Sequence, residues 1–248
     1  MLRPITFIIP CAGKGTRLSV PMSKELFPID YDKTLIDCVF SNLQNFKLGS
    51  QIVIIISKEK TELIKYLSKY ADDFKIYFVY QDSRKENLIG AIQSVEDLFS
   101  KKNILILPDI LLFDNNIQYK IEQYIESLDN YDVDLALLDY CENDINKRKK
   151  LGNIEYNDNE EIISIVDKPS DETLNTLLLK YCWVSIGFTD KNLELFYRFF
   201  QRIQMKNEKF DLKYHKIIVA SVHVDNALDM GVWENVKYYY NKEENKWK

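Results

Sequence analysis

Glycine and histidine are scarce in this chain of 248 residues, with seven and two copies respectively. Glycine usually makes up about 7% of a protein, and two histidines are too few for a zinc site built on imidazole. The four cysteines lie far apart and form no CxxC pair. They therefore predict reduced thiols in a cytoplasmic protein.

Long apolar runs and clustered positive charge are also absent. The longest apolar runs, such as Ile52 to Ile56 and Ile104 to Leu107, have the length of strands, so no membrane partner is expected. The net charge is -5, with lysine and glutamate spread evenly, which argues against a nucleic-acid partner. The basic run from Lys147 to Lys150 is interpreted as a solvated loop.

Apolar residues, including aromatics, alanine and cysteine, make up 46% of the chain, enough for one large domain. They recur in alternating strand-length and helix-period stretches. Strands are predicted at 6–10, 53–56, 76–79, 104–107 and 135–138, and helices around 35–43, 63–67, 92–98 and 117–125. This order predicts an α/β protein with a mostly parallel, covered sheet that binds ligands at the carboxyl ends of its strands.

Residues 9 to 29 read IPCAGKGTRLSVPMSKELFPI and begin at the end of the first predicted strand. Gly13 and Gly15 let backbone amides approach an anion closely, and Arg17 and Lys24 supply positive charge nearby. The segment therefore predicts a phosphate-binding turn. It is not a P-loop, because that pattern requires glycine at position 8 and serine or threonine at position 15. A dinucleotide fingerprint is disfavoured because Leu18 stands where it requires a third glycine.

The segments AGKGTRL and SKELFPI, separated by SVPM, resemble the signature of the sugar-phosphate nucleotidyltransferases, the pyrophosphorylases that make nucleotide sugars. Ser23 replaces the usual proline. The resemblance implies a three-layer α/β/α Rossmann-like fold with a mostly parallel mixed central sheet. It also implies a single domain over 1–248, with a nucleotide-binding part at about 1–115 and a sugar-phosphate part at about 116–248. Arg17 and Lys24 match the catalytic positions, and the implied phosphate-loop residues are Ala12, Gly13, Lys14, Gly15 and Thr16.

Two acids match the family positions that hold Mg²⁺ or Mn²⁺. Asp109 follows the strand in ILILPDILLF as the aspartate of the family GD motif does, with Pro108 in place of glycine. Asp229 lies two residues before Gly231 in VDNALDMGVWENVKYY, with Asp225 as a competitor for the same role. A cap of a helix or loop is the alternative role for Asp109. Carboxylates at these positions can hold a divalent cation between phosphates.

The sugar-phosphate and base contacts are implied by weaker matches. LGNIEYNDNEEIISIVDKPSD is similar to the family hairpin that binds the sugar phosphate, which assigns Gly152, Asp167 and Lys168 to that role, with Asp167 in place of glutamate. Gln81 and Asn87 occupy the base-reading segment, where Asn87 takes a glycine place and is expected to tolerate a left-handed backbone. The choice among uridine, thymidine and cytidine is left open.

The resemblance thus implies a transferase that takes a nucleoside triphosphate and a sugar 1-phosphate and releases a nucleotide sugar and pyrophosphate. Two alternatives are a catalytically silent nucleotide-sugar-binding regulator and a cytidylyltransferase acting on a non-sugar phosphate. A third is a glycosyltransferase whose metal motif is Asp132-Val133-Asp134, although these acids precede a predicted strand and so lie at the wrong edge of the sheet. The sequence does not decide whether the chain forms a homo-oligomer.

Overall fold

The strand-length segments lie side by side in one mixed sheet. The computed structural model describes residues 4–13, 15–18, 20–85 and 87–244. The predicted strands and the helices predicted around 35–43, 63–67 and 117–125 are confirmed with small shifts of their bounds. The helix predicted around 92–98 is wrong in its bounds, since an α-helix ends at Gln93 and a separate 3-10 helix covers Glu96–Leu98. The strands are β1 (Ile5–Pro10), β2 (Pro28–Asp30), β3 (Lys33–Thr34), β4 (Ser50–Ile56), β5 (Lys75–Tyr80), β6 (Lys102–Ile106), β7 (Ile110–Phe113), β8 (Leu135–Cys141), β9 (Gly152–Tyr156), β10 (Ile162–Asp167), β11 (Leu179–Thr189), β12 (Lys209–Asp211), β13 (Val219–Val224) and β14 (Asn226–Asp229). The α-helices are α1 (Leu35–Asn42), α2 (Glu62–Leu67), α3 (Leu88–Gln93), α4 (Ile117–Ser127), α5 (Ile145–Arg148), α6 (Asp171–Thr176), α7 (Leu193–Ile203), α8 (Leu212–His215) and α9 (Trp233–Glu244).

The sheet joins a parallel half to an antiparallel half. Its order is β12-β10-β9-β11-β6-β1-β4-β5, and β8 pairs with both β11 and β13. Strands β6, β1, β4 and β5 are parallel neighbours, whereas β11 runs antiparallel to β6, β8 and β9. The α/β class with a mixed central sheet is therefore confirmed. The parallel half places the carboxyl ends of four strands at one edge.

Alternate side chains of the parallel strands enter two separate cores. In β1, Phe7 and Ile9 pack into a core with α1, α2 and α4, whereas Ile8 packs into a core with α3 and α7. Strand β4 alternates in the same way through Ile54 and Ile55. Successive side chains of a strand point to opposite faces of a sheet, so helices cover both faces and the fold has three layers.

A two-stranded ribbon adds to the edge at which the parallel strands end. Strand β7 follows β6 after a short turn and pairs antiparallel with β14, so that Ile110 lies opposite Asp229. This pairing carries a segment from late in the chain to the turn that contains Asp109.

Two expectations about the whole chain can be compared with the structure. Within the described ranges, no helix is both long enough and apolar enough to cross a membrane. All four cysteines are free thiols, as their spacing predicted. Complete burial raises the pKa of the Cys11 thiol well above its ordinary value, and the nearby Glu25 adds to this effect, so Cys11 is an unreactive core residue.

The carboxylate of Asp37 fastens α1 to the segment that contains α2. It accepts hydrogen bonds from Tyr66 Oη at 2.6 Å, Tyr70 Oη at 2.8 Å and Thr34 N at 2.9 Å, and Lys69 Nζ lies 2.8 Å away. Burial acts to raise the pKa of Asp37, but the hydrogen bonds from Lys69, Tyr66 and Thr34 outweigh it and lower this pKa to about 2. The ionised carboxylate therefore stabilises the folded state.

We expect Asp37→Asn to lower the free energy of unfolding by about 1–3 kcal/mol at neutral pH, because buried donors lose a charged acceptor. Asp73→Asn is the control, since Asp73 only pairs with Lys47 at the surface and should cost about 0.5 kcal/mol or less. The folded-state pKa is depressed, so the contribution of Asp37 is complete above the unfolded-state value of about 3.9. It is lost as the pH falls toward about 2. Urea unfolding of both variants between neutral and acid pH measures this, and equal losses in the two variants would contradict it.

Candidate active site

A cleft of about 540 Å³ opens at the carboxyl edge of the parallel strands, a volume typical of small-molecule sites. Gly15 and Thr16 belong to the adjoining loop rather than to the cleft lining, and Lys14 lies outside the described residues. The predicted site residues that line the cleft are Ala12, Gly13, Arg17, Lys24, Gln81, Asn87, Asp109, Gly152, Asp167, Lys168 and Asp229.

Gly13 and Gly15 contribute differently to the described part of the loop after β1. Gly15 has φ +63°, a conformation that side chains disfavour, and it packs against the stem of Lys24. Gly13 has open space within 4 Å of the point where a side chain would begin. The backbone at position 13 is therefore open to a ligand, and the backbone at position 15 makes the turn.

Two pairs of oppositely charged side chains lie at the end of the cleft that is next to the Gly13 loop. Lys24 Nζ is 2.6 Å from Asp109 Oδ2, and both side chains are largely buried. Arg17 Nη1 is 3.6 Å from Asp229 Oδ2, and the arginine side chain is 61% exposed. Lys24 is thus held in place, whereas Arg17 is free to follow a ligand.

The ionisation of these groups follows from burial and from their neighbours. Burial opposes the charged form of Lys24, but the Asp109 carboxylate outweighs it and raises the pKa of Lys24, so the ammonium stays protonated at neutral pH. Burial raises the pKa of Asp229, and the negative charge of Asp109 raises it further, against the opposing effects of the Gly231 amide and Arg17. A bound cation would relieve this repulsion.

The two acids are brought together by the ribbon. Met230 N donates to the carbonyl of Asp109 at 2.8 Å, and Gly231 N donates to Asp229 Oδ1 at 2.7 Å. A side chain at position 231 would begin 2.8 Å from Asp229 Oδ1 and 3.1 Å from Asp109 Oδ2. The two carboxylates therefore converge on one point, which Gly231 leaves free of a side chain of its own and which Arg17 Nη2 approaches to 2.9 Å. Asp225 lies apart, where its amide donates to Asp114.

This donor set fits a divalent cation. No third acid, histidine or cysteine joins the two carboxylates in the described ranges. Mg²⁺ usually keeps several waters and binds through one or two carboxylates together with substrate phosphates. Asp109 and Asp229 supply that number of carboxylates.

The opposite wall of the cleft is built by β9, β10 and β11. Lys168 follows β10 with φ +47°, its amide donates to the Leu151 carbonyl at 2.9 Å, and its Nζ lies 2.7 Å from Asp167 Oδ2. A non-glycine residue with this φ is uncommon and is often found at functional sites. The strained turn directs the Lys168–Asp167 pair to the cleft.

Gly152 lies against Trp183, a cleft residue that no sequence pattern predicts. A side chain at position 152 would begin 2.0 Å from Trp183 Nε1, so the indole lies directly against the glycine backbone. Trp183 lines the cleft, and its Nε1 is buried without a hydrogen-bond partner. Gly152 therefore accommodates the indole, and the contact of its amide with a phosphate stays a prediction.

The corner of the cleft that was predicted to contact the base differs from expectation in two respects. Asn87 has φ -90° and ψ 172°, and its side chain accepts a hydrogen bond from Gly90 N at 2.7 Å as the N-cap of α3. The expected left-handed conformation of Asn87 is therefore wrong, because an N-cap adopts an extended backbone. Gln81 Nε2 donates to the carbonyls of Lys85, at 2.5 Å, and Asn87, at 3.2 Å, so its amide N–H groups hold the loop together.

Several cleft residues had no signal in the sequence. The basic run begins in α5 rather than in a loop, and its last residue, Lys150, has a 69% exposed side chain that lines the cleft and lies 3.7 Å from Glu234. Tyr140 and Gln204 also line the cleft, from β8 and from the end of α7. The position of Tyr140 in its strand predicts only which face of the sheet its side chain is on. The groups that it meets on that face depend on how the chain folds.

The alternative metal motif lies elsewhere. Asp134 directly precedes β8, and its carboxylate accepts a hydrogen bond from Ile218 N at 2.9 Å. It lies at the amino end of that strand, at the opposite edge from the cleft. Asp134 therefore fastens β13 to β8, and the glycosyltransferase reading has no support.

The sequence matches one family model, described as nucleotidyl transferase, over residues 7–233. The chain belongs to this family. The match includes the loop after β1, both acids and the hairpin of β9 and β10. No curated protein sequence is significantly similar to the chain.

Solved structures of other nucleotidyl transferases share the fold. A Bacillus anthracis protein assigned as a glucose-1-phosphate thymidylyltransferase is similar with a TM-score of 0.76 and 17% identity, covering 96% of this chain and 94% of that one. A UDP-glucose pyrophosphorylase in complex with UDP-glucose gives 0.72 and 19%, covering 99% and 100%. A UTP-bound UGPase from Acinetobacter baumannii gives 0.72 and 14%, covering 98% and 93%. At these identities the likeness establishes the fold.

We expect Gly152→Ala to lower the free energy of unfolding by about 1–3 kcal/mol, because the new methyl group overpacks the indole of Trp183. Gly13→Ala is the matched control, since open space surrounds that position and the change should cost less than about 0.5 kcal/mol. Chemical unfolding followed by circular dichroism measures both. A Gly152→Ala variant as stable as the control would show that the indole does not press on the glycine in solution.

Proposed function

We propose that this nucleotidyl transferase transfers a nucleoside monophosphate from a nucleoside triphosphate to a sugar 1-phosphate, giving a nucleotide sugar and pyrophosphate. The observation that carries the proposal is the convergence of Arg17, Lys24, Asp109 and Asp229 at one end of a cleft. Lys168, which lies in a strained turn, adds a further positive charge to the lining of the same cleft. This arrangement suits two phosphorylated substrates that meet in one cavity.

The residues of the chain act mainly by positioning and by charge. The loop at Gly13 receives the triphosphate, and Lys168 holds the phosphate of the incoming sugar. One oxygen of that phosphate attacks the α-phosphorus in line, while the bond from this phosphorus to the oxygen bridging to the β-phosphate breaks. Lys24 stabilises charge on the α-phosphate and Arg17 offsets charge on the departing pyrophosphate. The attacking oxygen is already anionic, so no general base is needed.

Asp109 and Asp229 are the residues that would hold Mg²⁺ or Mn²⁺, which neutralises phosphate charge when bound. Lys24 and a cation share Asp109 as a partner. Binding of the metal and nucleotide would therefore free the Lys24 ammonium for the α-phosphate.

A pyrimidine base is proposed, with Gln81 as its contact. The Gln81 amide N–H groups are engaged with the carbonyls of Lys85 and Asn87, so a base would meet the side-chain oxygen, which accepts hydrogen bonds. Every base offers an N–H donor to such an oxygen, so the choice of a pyrimidine rests on the nucleotides of similar proteins. The uridine nucleotides named for two of the similar structures support this choice.

The test is a screen for pyrophosphate release that crosses ATP, GTP, CTP, UTP and dTTP with a panel of sugar 1-phosphates in the presence of MgCl₂. We expect release with at least one sugar 1-phosphate and with a pyrimidine triphosphate. The panel includes alditol and amino-alcohol phosphates. Release of pyrophosphate with these compounds alone would show that the acceptor is not a sugar 1-phosphate. Nucleotide binding without release under any condition would contradict the proposed activity and indicate a silent binding protein.

With the substrate pair found in that screen, we expect Lys24→Ala and Arg17→Ala each to lower turnover on the order of 10²-fold, because each removes charge stabilisation in the transition state. Lys47→Ala removes a lysine from a surface pair outside the cleft and should change turnover by less than about twofold. Steady-state kinetics on folded, purified variants measures this. Near-wild-type turnover in both cleft variants would remove the two residues from the mechanism.

A further inference from the structure

The two residues on either side of Lys24 are held by the first residue of α2 and by the loop that precedes it. Ser23 Oγ donates a hydrogen bond to the carboxylate of Glu62, which explains a hydroxyl at this position. Glu25 forms an ion pair with Lys60 at 2.9 Å. Ser23 is 3% exposed and Glu25 is 0% exposed, and Lys60 is buried as well, so the Glu25–Lys60 pair is internal, whereas Glu62 holds Ser23 from the surface.

Lys60 is the central group of this arrangement. Its Nζ donates to both carboxylate oxygens of Glu25, at 3.1 and 2.9 Å, and to the backbone carbonyl of Cys11 at 2.7 Å. An ammonium has three donors, and these three bonds use all of them. Lys60 is 8% exposed and lies outside the cleft lining. It is therefore not a substrate contact.

The three hydrogen bonds of Lys60 connect the segment before the Gly13 loop to the turn that carries Lys24. Cys11 directly follows β1 and precedes the loop at Gly13, while Glu25 lies in the short 3-10 helix Lys24–Leu26. One buried ammonium thus fixes the distance between the phosphate loop and the turn that carries Lys24. Hydrogen bonds from a single charged group to a carbonyl and a carboxylate are directional and stronger than neutral ones.

We propose that Lys60 and Glu25 are positioning residues that hold the Lys24 ammonium in the cleft. The effect of Lys60 and Glu25 on turnover rests on the proposed function of Lys24. Their effect on the position of Lys24 does not depend on that function. A pair that only stabilised the fold would leave Lys24 where it is when both charges were removed together. Replacement of a buried pair by apolar residues of similar size is often tolerated, so the two roles can be separated.

A second buried lysine provides the internal reference. Lys102 Nζ donates to the carbonyl of Ile125 at 3.1 Å and to Asp129 Oδ2 at 2.7 Å. It therefore has the same kind of partners as Lys60, a carbonyl and a carboxylate. Lys102 begins β6 and so lies at the edge of the sheet opposite the cleft.

The experiment measures amine acetylation by acetic anhydride, residue by residue, with mass spectrometry of the intact chain and its peptides. In the double variant Glu25→Met/Lys60→Met we expect Lys24 to be acetylated about fivefold faster or more, because its turn is no longer anchored. Lys102 in the same molecules should keep its rate. In the control Lys102→Met/Asp129→Asn, the Lys24 rate should match the wild type.

An unchanged Lys24 rate in the double variant would overturn the proposal. Equal acceleration at Lys24 and Lys102 would also overturn it, because the pair would then stabilise the whole fold. With an active substrate pair, the double variant should lower kcat by about tenfold or more with both KM values within about threefold. If the wild-type chain shows no pyrophosphate release, the proposed function fails while the acetylation result still decides the positions.

Discussion

The ion pair between Lys24 and Asp109 is the interaction on which the end of the cleft next to the Gly13 loop depends. At 2.6 Å it joins the turn after the phosphate loop to the turn after β6, and β1 and β6 are adjacent parallel strands. Partly buried charges are costly unless they are paired. The cleft accordingly arranges its charges as neighbours of opposite sign, with Arg17 near Asp229 and Lys168 near Asp167. Under the proposed function, phosphates and a cation would enter by exchanging these partners, so that no charge is left alone.

The fold explains why residues so distant in sequence meet here. Parallel strands bring their carboxyl ends to one edge, where backbone loops are free to bind ligands. The ribbon of β7 and β14 then carries Asp229 beside Asp109, and Gly231 leaves the point between the carboxylates free of a side chain of its own. Strand β11 lies between β6 and β9 and sets Trp183 against Gly152. The cleft therefore lies between the parallel half and the antiparallel half of one sheet.

The periodicity of apolar residues was sufficient to predict the parallel strands and most of their helices, because burial on two faces imposes that pattern. The loop beside the cleft could be located because Gly13, Gly15, Arg17 and Lys24 lie within one short segment, while its binding of phosphate stays a prediction. Trp183 and Gln204 could not be predicted, since their approach to the cleft depends on how β11 and α7 pack. The extended backbone of Asn87 was missed because its role as an N-cap competed with its likeness to a glycine position. The pairing of Glu25 with Lys60 joins segments that no local pattern relates.

The central claim is that the cleft binds a nucleoside triphosphate on the Gly13 loop and that Lys24 then exchanges Asp109 for the α-phosphate. It is tested most directly by a crystal structure with Mg²⁺ and a UTP analogue whose α,β-bridging oxygen is replaced by a methylene group. The account predicts that the triphosphate lies on the Gly13 loop and that Lys24 Nζ leaves its 2.6 Å contact with Asp109 for the α-phosphate. It also predicts that both Asp109 and Asp229 face the cation. A nucleotide bound elsewhere, or an intact Lys24–Asp109 pair beside a bound triphosphate, would contradict it.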